Sequence, residues 1–282
     1  MKPAARTARR GRLAAAALAV ALACGPTPSP AHAAEELAAE RQRAVLREAL
    51  NTFDEAVSMA RDDPQQAERL YRRSAAAFET LVEAGIRSAA LEYNLGNAYF
   101  RLGQLGRAIC HYRRAQRLAP GDAAIAANLD YARNRVEPYI APSGRRQLVS
   151  RLMFWTGYTA LRTRFWLAAL LSAGGWLALI VRLRWRSRPL LVIACVAIAL
   201  AAANAASVAW ELRDEARRPP AVVIAGGHML RLGAGPGYDP ALTQPLGEGT
   251  ELRILSERGG WVEVLLPNDK SGWLPAEAIE RL

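Results

Sequence analysis

The sequence predicts a multidomain chain with three parts: an all-α solenoid of paired helices, a two-helix transmembrane hairpin and a small all-β barrel. Three observations predict this. A helical pattern with a 34-residue period runs through 34–140, two apolar stretches occupy 165–181 and 190–210, and short apolar runs alternate with turn residues after residue 220. A chain of 282 residues that is 51% hydrophobic has room for two small domains besides the membrane segments.

The net charge of +11 is concentrated outside the two predicted globular parts. Residues 1–33 carry five basic and no acidic side chains, and residues 145–220 carry twelve basic and three acidic ones. The region 34–144 is neutral, whereas 221–282 has eight acidic and five basic side chains. Because the excess lies in the leader and around the apolar stretches, where Arg orients helices in a bilayer, the sequence argues against nucleic-acid binding.

The N-terminus is typical of a signal peptide, predicted over residues 1–33. Five basic residues precede an apolar core at 13–23, which is too short to span a membrane. Ala31 and Ala33 supply the small residues of a cleavage site, so the mature chain would begin at residue 34. The alternative is a lipoprotein leader in which Cys24 is acylated. Both place the following domain on the periplasmic or outer side of a bacterial cytoplasmic (inner) membrane.

The helical domain, predicted over 34–140, contains an internal repeat. Asn94-Leu95 recurs as Asn128-Leu129, and turn signals separate short helices. Residues 89–122 resemble a tetratricopeptide repeat, at the positions Leu95, Gly96, Tyr99, Gly103, Ala108, Tyr112, Ala115 and Pro120. We expect the small residues of this set to let paired helices approach and Tyr99, Tyr112 and Ala115 to fill the seam between them. Residues 46–60 with 67–84 predict a degenerate helix pair, and 122–136 a closing half-repeat.

Glu92 departs from the repeat pattern, because it stands where tetratricopeptide repeats have a large aromatic residue.

Cys110 and His111 are the two residues that bear on whether this domain has a catalytic site. In the second helix we expect Cys110 to be a small packing residue and His111 to be exposed. Adjacent helical residues point about 100° apart, so these two side chains cannot form a Cys–His pair. The three histidines are far apart in sequence: His32, His111 and His228. We therefore predict no catalytic residue, no metal site and no cofactor.

A linker, 141–164, precedes two predicted membrane spans at 165–181 and 190–210. Neither stretch shows a polar stripe or an ionisable residue, which favours an anchor over a transport pathway. The loop 182–189 carries four arginines, which predicts that it faces the cytoplasm: Arg182, Arg184, Arg186 and Arg188.

The C-terminal region 221–282 has the pattern of a small all-β domain. Apolar runs lie between turn residues at 221–225, 228–232, 251–255, 261–265 and 273–274. The region resembles bacterial SH3-like domains, at the motifs Leu230-Arg231-Leu232, Gly235-Pro236-Gly237, Leu246-Gly247-Glu248-Gly249-Thr250, Gly260-Trp261-Val262 and Gly272-Trp273-Leu274. This resemblance implies a barrel that binds peptides or cell-wall material, with Tyr238 and Trp261 lining a groove. We expect Trp273 in the core, while Trp261 fits either the core or the groove.

The order of these parts resembles the BatE type of Bat aerotolerance-operon proteins, and the stretch Leu91-Glu92-Tyr93-Asn94-Leu95-Gly96-Asn97-Ala98-Tyr99-Phe100 looks especially like that family's repeat. We expect a non-enzymatic adaptor whose repeats bind a partner protein and whose SH3-like domain binds a second partner or the cell wall. The resemblance implies that it works within an aerotolerance or envelope-stress complex. Its implied partners are membrane proteins with von Willebrand factor A domains and a MoxR-type ATPase. The alternative function is a peptidoglycan-binding regulator of cell-wall remodelling.

Tetratricopeptide repeats bind extended peptides on the face of their first helices. In this register the predicted protein-binding residues are Tyr93, Asn97, Phe100 and Arg101. An Asn amide and an Arg guanidinium four residues apart lie on one helix face and suit a partner's backbone or carboxylate. The alternative is that Arg101 is a solvated charge and that Asn97 hydrogen-bonds within the array.

Overall fold

The structure is a computed structural model that describes residues 30–152 and 159–282. The described chain is mostly helical, and a small antiparallel sheet follows the helices. Its eight α-helices within these residues are α1 (Pro30–Met59), α2 (Pro64–Glu83), α3 (Ala89–Arg101), α4 (Leu105–Leu118), α5 (Ala123–Arg133), α6 (Gly144–Leu152), α7 (Leu161–Trp185) and α8 (Arg188–Arg217). Its strands are β1 (Pro220–Val223), β2 (Glu251–Arg258), β3 (Trp261–Leu265), β4 (Ser271–Pro275) and β5 (Ile279–Arg281). The predicted leader up to residue 29, Cys24 included, lies outside the described residues.

Local signals define the short helices α2 to α5. Asp63, Ser88 and Asp122 each cap a helix, because their side-chain oxygens accept the N–H three residues further on at 2.8, 3.1 and 3.2 Å. Gly85 and Gly103 follow α2 and α3 with φ of 83° and 74°, a backbone conformation that side chains with a Cβ rarely adopt. These are the turn signals that separate helices in the sequence.

Helices α3 and α4 pack closely because a glycine lies between them. A Cβ on Gly96 would come within 2.6 Å of the Tyr112 ring, so no larger residue fits there without movement. Tyr99, Tyr112 and Ala115 are each at most 3% exposed. Tyr112 lies against Gly96 and Tyr99 stacks on His111, as the prediction for these two residues requires, and Ala115 is fully buried.

The buried pair of Glu92 and His111 corrects one expectation. His111 is buried rather than exposed, and its Nδ1 lies 2.8 Å from Glu92 Oε2. Its ring stacks on Tyr99 with centroids 5.4 Å apart. Burial by itself raises the pKa of Glu92, but the hydrogen bond and charge of His111 and the nearby arginines hold that pKa below its ordinary value. The carboxylate at the family's aromatic position is therefore accommodated by an imidazole on the facing helix.

Helices α7 and α8, of 25 and 30 residues, are long and apolar enough to cross a membrane. They extend beyond the predicted spans, so that only Arg186 and Ser187 separate them. Small residues and an ion pair between the buried Arg164 of α7 and Glu211 of α8 lie at their contact, and large apolar side chains point outward. The small buried residues at this surface are Ala168, Gly175, Ala194, Ala201 and Ser207.

The five strands form one sheet in the order β4-β3-β2-β1-β5, with all neighbours antiparallel. Alternate residues of β2 and β3 face the core, as a strand period of two requires. A bulge interrupts the β2–β3 register between Ile254 and Ser256. The core consists of Ala221, Val223, Leu230, Leu246, Leu252, Ile254, Val262, Val264, Leu266 and Leu274.

Two details of the predicted β domain are wrong. Residues 228–232 do not form a strand, since only Arg231 makes isolated bridges, to Pro240 and Trp273. Trp273 does not lie in the core: the neighbouring Leu274 is fully buried there, and Trp273 is half-buried on the other face of β4. Successive side chains of a strand point to opposite faces of the sheet, so only one of these two neighbours can face the core, and here it is Leu274.

Candidate binding groove

A cavity of about 410 Å³ opens on the face that α1, α3 and α5 share. Side chains from these three separate segments meet there, among them Phe53 of α1, Phe100 of α3 and Asn128 of α5. The cavity is lined by Phe53, Asn97, Phe100, Arg101, Tyr112, Asn128, Tyr131 and Arg135. We call this the groove.

The floor of the groove is a hydrogen-bonded network centred on Asn97. The Tyr112 hydroxyl donates to Asn97 Oδ1 at 2.7 Å, and Asn128 Nδ2 donates to the same oxygen at 3.0 Å. Asn128 Nδ2 also donates to the Tyr93 hydroxyl at 2.9 Å. Burial raises the pKa of Tyr112, which keeps this hydroxyl protonated as a donor. The side-chain oxygen of Asn97 is therefore engaged inside the helical unit.

One wall of the groove combines aromatic rings with a guanidinium group. The Phe100 and Tyr131 rings lie 5.6 Å apart, centroid to centroid. The Arg135 guanidinium lies 5.1 Å from the Phe100 centroid and 4.5 Å from that of Tyr131, and it donates a hydrogen bond to the Tyr131 hydroxyl. Stacking orders this cation without neutralising it.

The charge of the groove is not balanced by the chain itself. Among the described residues, Arg101 and Arg135 have no carboxylate within ion-pair distance, and both are exposed. Three arginines of α4 do have such partners, Arg113, Arg114 and Arg117, while Arg107 of the same helix stacks on Tyr99 instead. The groove therefore presents two available guanidinium groups beside aromatic rings, which suits a carboxylate-bearing segment with an apolar side chain.

The structure brings together three of the four protein-binding residues predicted from sequence. Asn97, Phe100 and Arg101 line the groove, while Tyr93 supports its floor. The prediction omitted Tyr131 and Arg135. The 34-residue period contains that signal, because it maps Asn97 onto Tyr131 and Arg101 onto Arg135.

The two residues predicted for a groove on the sheet lie on different elements. Tyr238 is 55% exposed in the segment between β1 and β2, and its ring covers Gly233. Trp261 begins β3, opposite Pro275, and is half-buried. The structure provides no shared cavity that joins them among those described for the sheet.

Cys110 and His111 have separate surroundings, as expected for adjacent helical residues. Cys110 is fully buried with its Sγ 4.0 Å from the Glu280 carbonyl oxygen, and burial raises the pKa of its thiol. Within residues 30–152 and 159–282, no three side chains of His, Cys, Asp or Glu are grouped as metal ligands. No protein-family model matches the chain, and no curated protein matches it. The family resemblance therefore remains an expectation based on the sequence motifs.

Proposed function

We propose that the protein is a membrane-anchored envelope adaptor whose α1–α5 unit, a tetratricopeptide-type array, binds an acidic extended segment of a partner protein. The observation that carries this proposal is the pair of guanidinium groups in the groove, Arg101 and Arg135, without a carboxylate partner among the described residues. Around them Phe53, Phe100 and Tyr131 supply apolar contact. An extended peptide ending in, or rich in, carboxylates satisfies both kinds of group.

The proposed anchor is the hairpin of α7 and α8. Its outward side chains are large and apolar, including Leu170 at 70% and Ile180 at 62% exposure. Soluble domains rarely expose a continuous apolar surface of this extent, whereas a bilayer covers it favourably. Ion pairs tie the end of α8 to the rest of the chain: Arg117 to Glu215 at 2.8 Å and Arg253 to Asp214 at 3.2 Å.

The proposed partners follow from the resemblance to BatE-type proteins: membrane proteins with von Willebrand factor A domains that work with a MoxR-type ATPase. In this proposal the C-terminal sheet is an SH3-like barrel. The protein joins its partners without catalysing a reaction. An acidic segment on such a membrane protein is the ligand that the charge of the groove favours.

Affinity capture from detergent-solubilised membranes tests the proposal. The test variant carries Arg101→Glu and Arg135→Glu, which reverses the charge of the groove without removing the hydrogen bonds of Asn97. Arg107→Glu is the matched control, because Arg107 is also an exposed arginine that stacks on a tyrosine, at 5.4 Å from the Tyr99 centroid, but lies outside the groove.

We expect the wild type and the control to capture membrane proteins with A domains and the double variant to lose them. Equal capture by all three forms would show that the groove is not the binding site. Binding of the full-length protein to purified sacculi, with no captured protein, would instead support the wall-remodelling function.

A further inference from the structure

Three glycines mark the contact between the C-terminal sheet and the helical unit. A Cβ on Gly106 of α4 would lie 2.3 Å from the Val223 carbonyl oxygen, and one on Gly247 would lie 2.0 Å from the Glu137 carbonyl oxygen. A Cβ on Gly249 would lie 2.8 Å from both Ile109 and Val136 side chains. The two surfaces therefore meet backbone to backbone at Gly106 and Gly247, and at Gly249 the sheet backbone lies directly against apolar side chains of the helical unit.

Polar groups close this contact at both ends of α4. The N–H of Gly106 donates to Glu248 Oε1 at 2.9 Å, which places a carboxylate at the positive N-terminus of the helix. Further along α4, Arg114 Nη2 donates to the Arg281 carbonyl oxygen and pairs with Glu280 Oε1, each at 2.7 Å. Residues from the β1–β2 segment and from β5 thus hold the same helix.

Glu251 connects the sheet to the last helix of the unit. Arg133 of α5 donates from Nε and Nη2 to the two Glu251 oxygens at 3.0 and 3.1 Å, and Arg113 Nε lies 3.0 Å from the same carboxylate. Burial alone raises the pKa of Glu251, but Arg113 and Arg133 together hold it below its ordinary value. A bidentate bond of this kind fixes orientation as well as distance.

The position of Arg133 relates this contact to the groove. Arg133 belongs to the last turn of α5, between Tyr131 and Arg135, whose side chains form the groove wall. Helix α5 is the last of the five stacked helices, so no further helix of the array covers it, and it has only 11 residues. A short terminal helix needs such a cover to stay ordered.

We infer that the C-terminal sheet is a built-in cap of the helical unit, which fixes the last turn of α5 and so positions the groove wall that carries Tyr131 and Arg135. On this surface the C-terminal sheet therefore binds the helical unit of the same chain. The inference rests on the proposed function only for the use of the groove; the docking itself requires no ligand.

Hydrogen–deuterium exchange of the full-length protein in detergent micelles tests the cap without any ligand. The first variant is Gly106→Ala, because the added methyl would have to displace the sheet backbone, whereas alanine by itself favours the helix. Gly144→Ala is the matched control: Gly144 is also in the first turn of a helix, and nothing lies within 4 Å of its Cβ position. The second pair is Glu251→Gln and its control Glu277→Gln, an exposed glutamate just before β5 that has no ion pair among the described residues.

We expect exchange of the amides in residues 123–136 to rise about tenfold in Gly106→Ala and in Glu251→Gln, with α2 unchanged and both controls like the wild type. Unchanged exchange of α5 in both variants would overturn the inference. An equal rise in α2 and α5 would also overturn it, because it would indicate general stability rather than a local cap. A groove that captures no partner would refute the proposed function and leave these results as they are.

Discussion

Two neighbouring glycines in α7 allow the packing of the hairpin to be tested with a minimal change. A Cβ on Gly175 would lie 2.7 Å from Ile198 Cγ1 and 3.3 Å from the Ala194 carbonyl oxygen of α8, whereas nothing lies within 4 Å of the Cβ position of Gly174. Ordinary van der Waals contact begins at 3.4 Å, so a methyl at position 175 requires the Ile198 side chain or the helix backbone to move. The methyl at position 174 meets open space.

The magnitude follows from comparing the two variants. Gly→Ala in a helix interior gains about 1 kcal/mol of helix propensity, and this gain is common to both positions. Overpacking at a close contact costs about 1–3 kcal/mol, and only Gly175→Ala incurs it. We therefore expect Gly175→Ala to be less stable than Gly174→Ala by about 1–3 kcal/mol.

Unfolding of the full-length protein by SDS titration in mixed micelles, followed by helical circular dichroism, measures this difference. Gly174→Ala is its own control, since it makes the same substitution one residue away. Equal stability of the two variants, or a less stable Gly174→Ala, would refute the proposed contact of α7 with α8 at this position.

Three further predictions concern the globular parts. Glu251 has a lowered pKa, so its contribution is complete above the ordinary value of 4.5 and lost as pH falls through the lowered value; Tm should fall on acidification from about pH 6 to about pH 3, and less so in Glu251→Gln. Glu92→Ala and His111→Ala should each lower the free energy of unfolding, measured in urea, by about 3 kcal/mol. The double variant should lose less than the sum of the two, because each single variant leaves one buried polar side chain without its partner. Leu129→Ala, at a fully buried position, should cost about 2–5 kcal/mol, while Leu118→Ala, at 50% exposure, should stay within about 0.5 kcal/mol.

The repeat period and the turn residues are the features that sequence predicts best here. The period depends on local packing: Gly96 is small because the Tyr112 ring lies against it, and Gly85 and Gly103 end helices because their φ is positive. Such constraints act within one or two helices and leave a local pattern. The predicted hairpin likewise follows from two long apolar stretches.

Features that depend on distant segments were not predictable in this way. His111 was expected to be exposed because its own helix gives no sign of Glu92, which lies 19 residues earlier. Trp273 is expected in the core from the sequence, yet the alternation along β4 places Leu274 there. The contact of Glu251 with Arg133 joins residues 118 positions apart. The environment of each of these side chains depends on a residue that lies outside the local sequence pattern.

The arginines of α4 and α5 illustrate how the fold assigns different roles to one residue type. Arg113 and Arg133 meet Glu251, so their charges are used in holding the sheet. Arg101, the last residue of α3, and Arg135, two residues after the end of α5, are one repeat apart and meet no carboxylate among the described residues. Because an unpaired guanidinium in a concave site is stabilised by an incoming carboxylate while a paired one is not, the groove and the cap are distinguishable by charge reversal. Charge reversal at Arg101 should weaken partner binding with little effect on Tm, whereas charge reversal at Arg133 should mainly lower Tm.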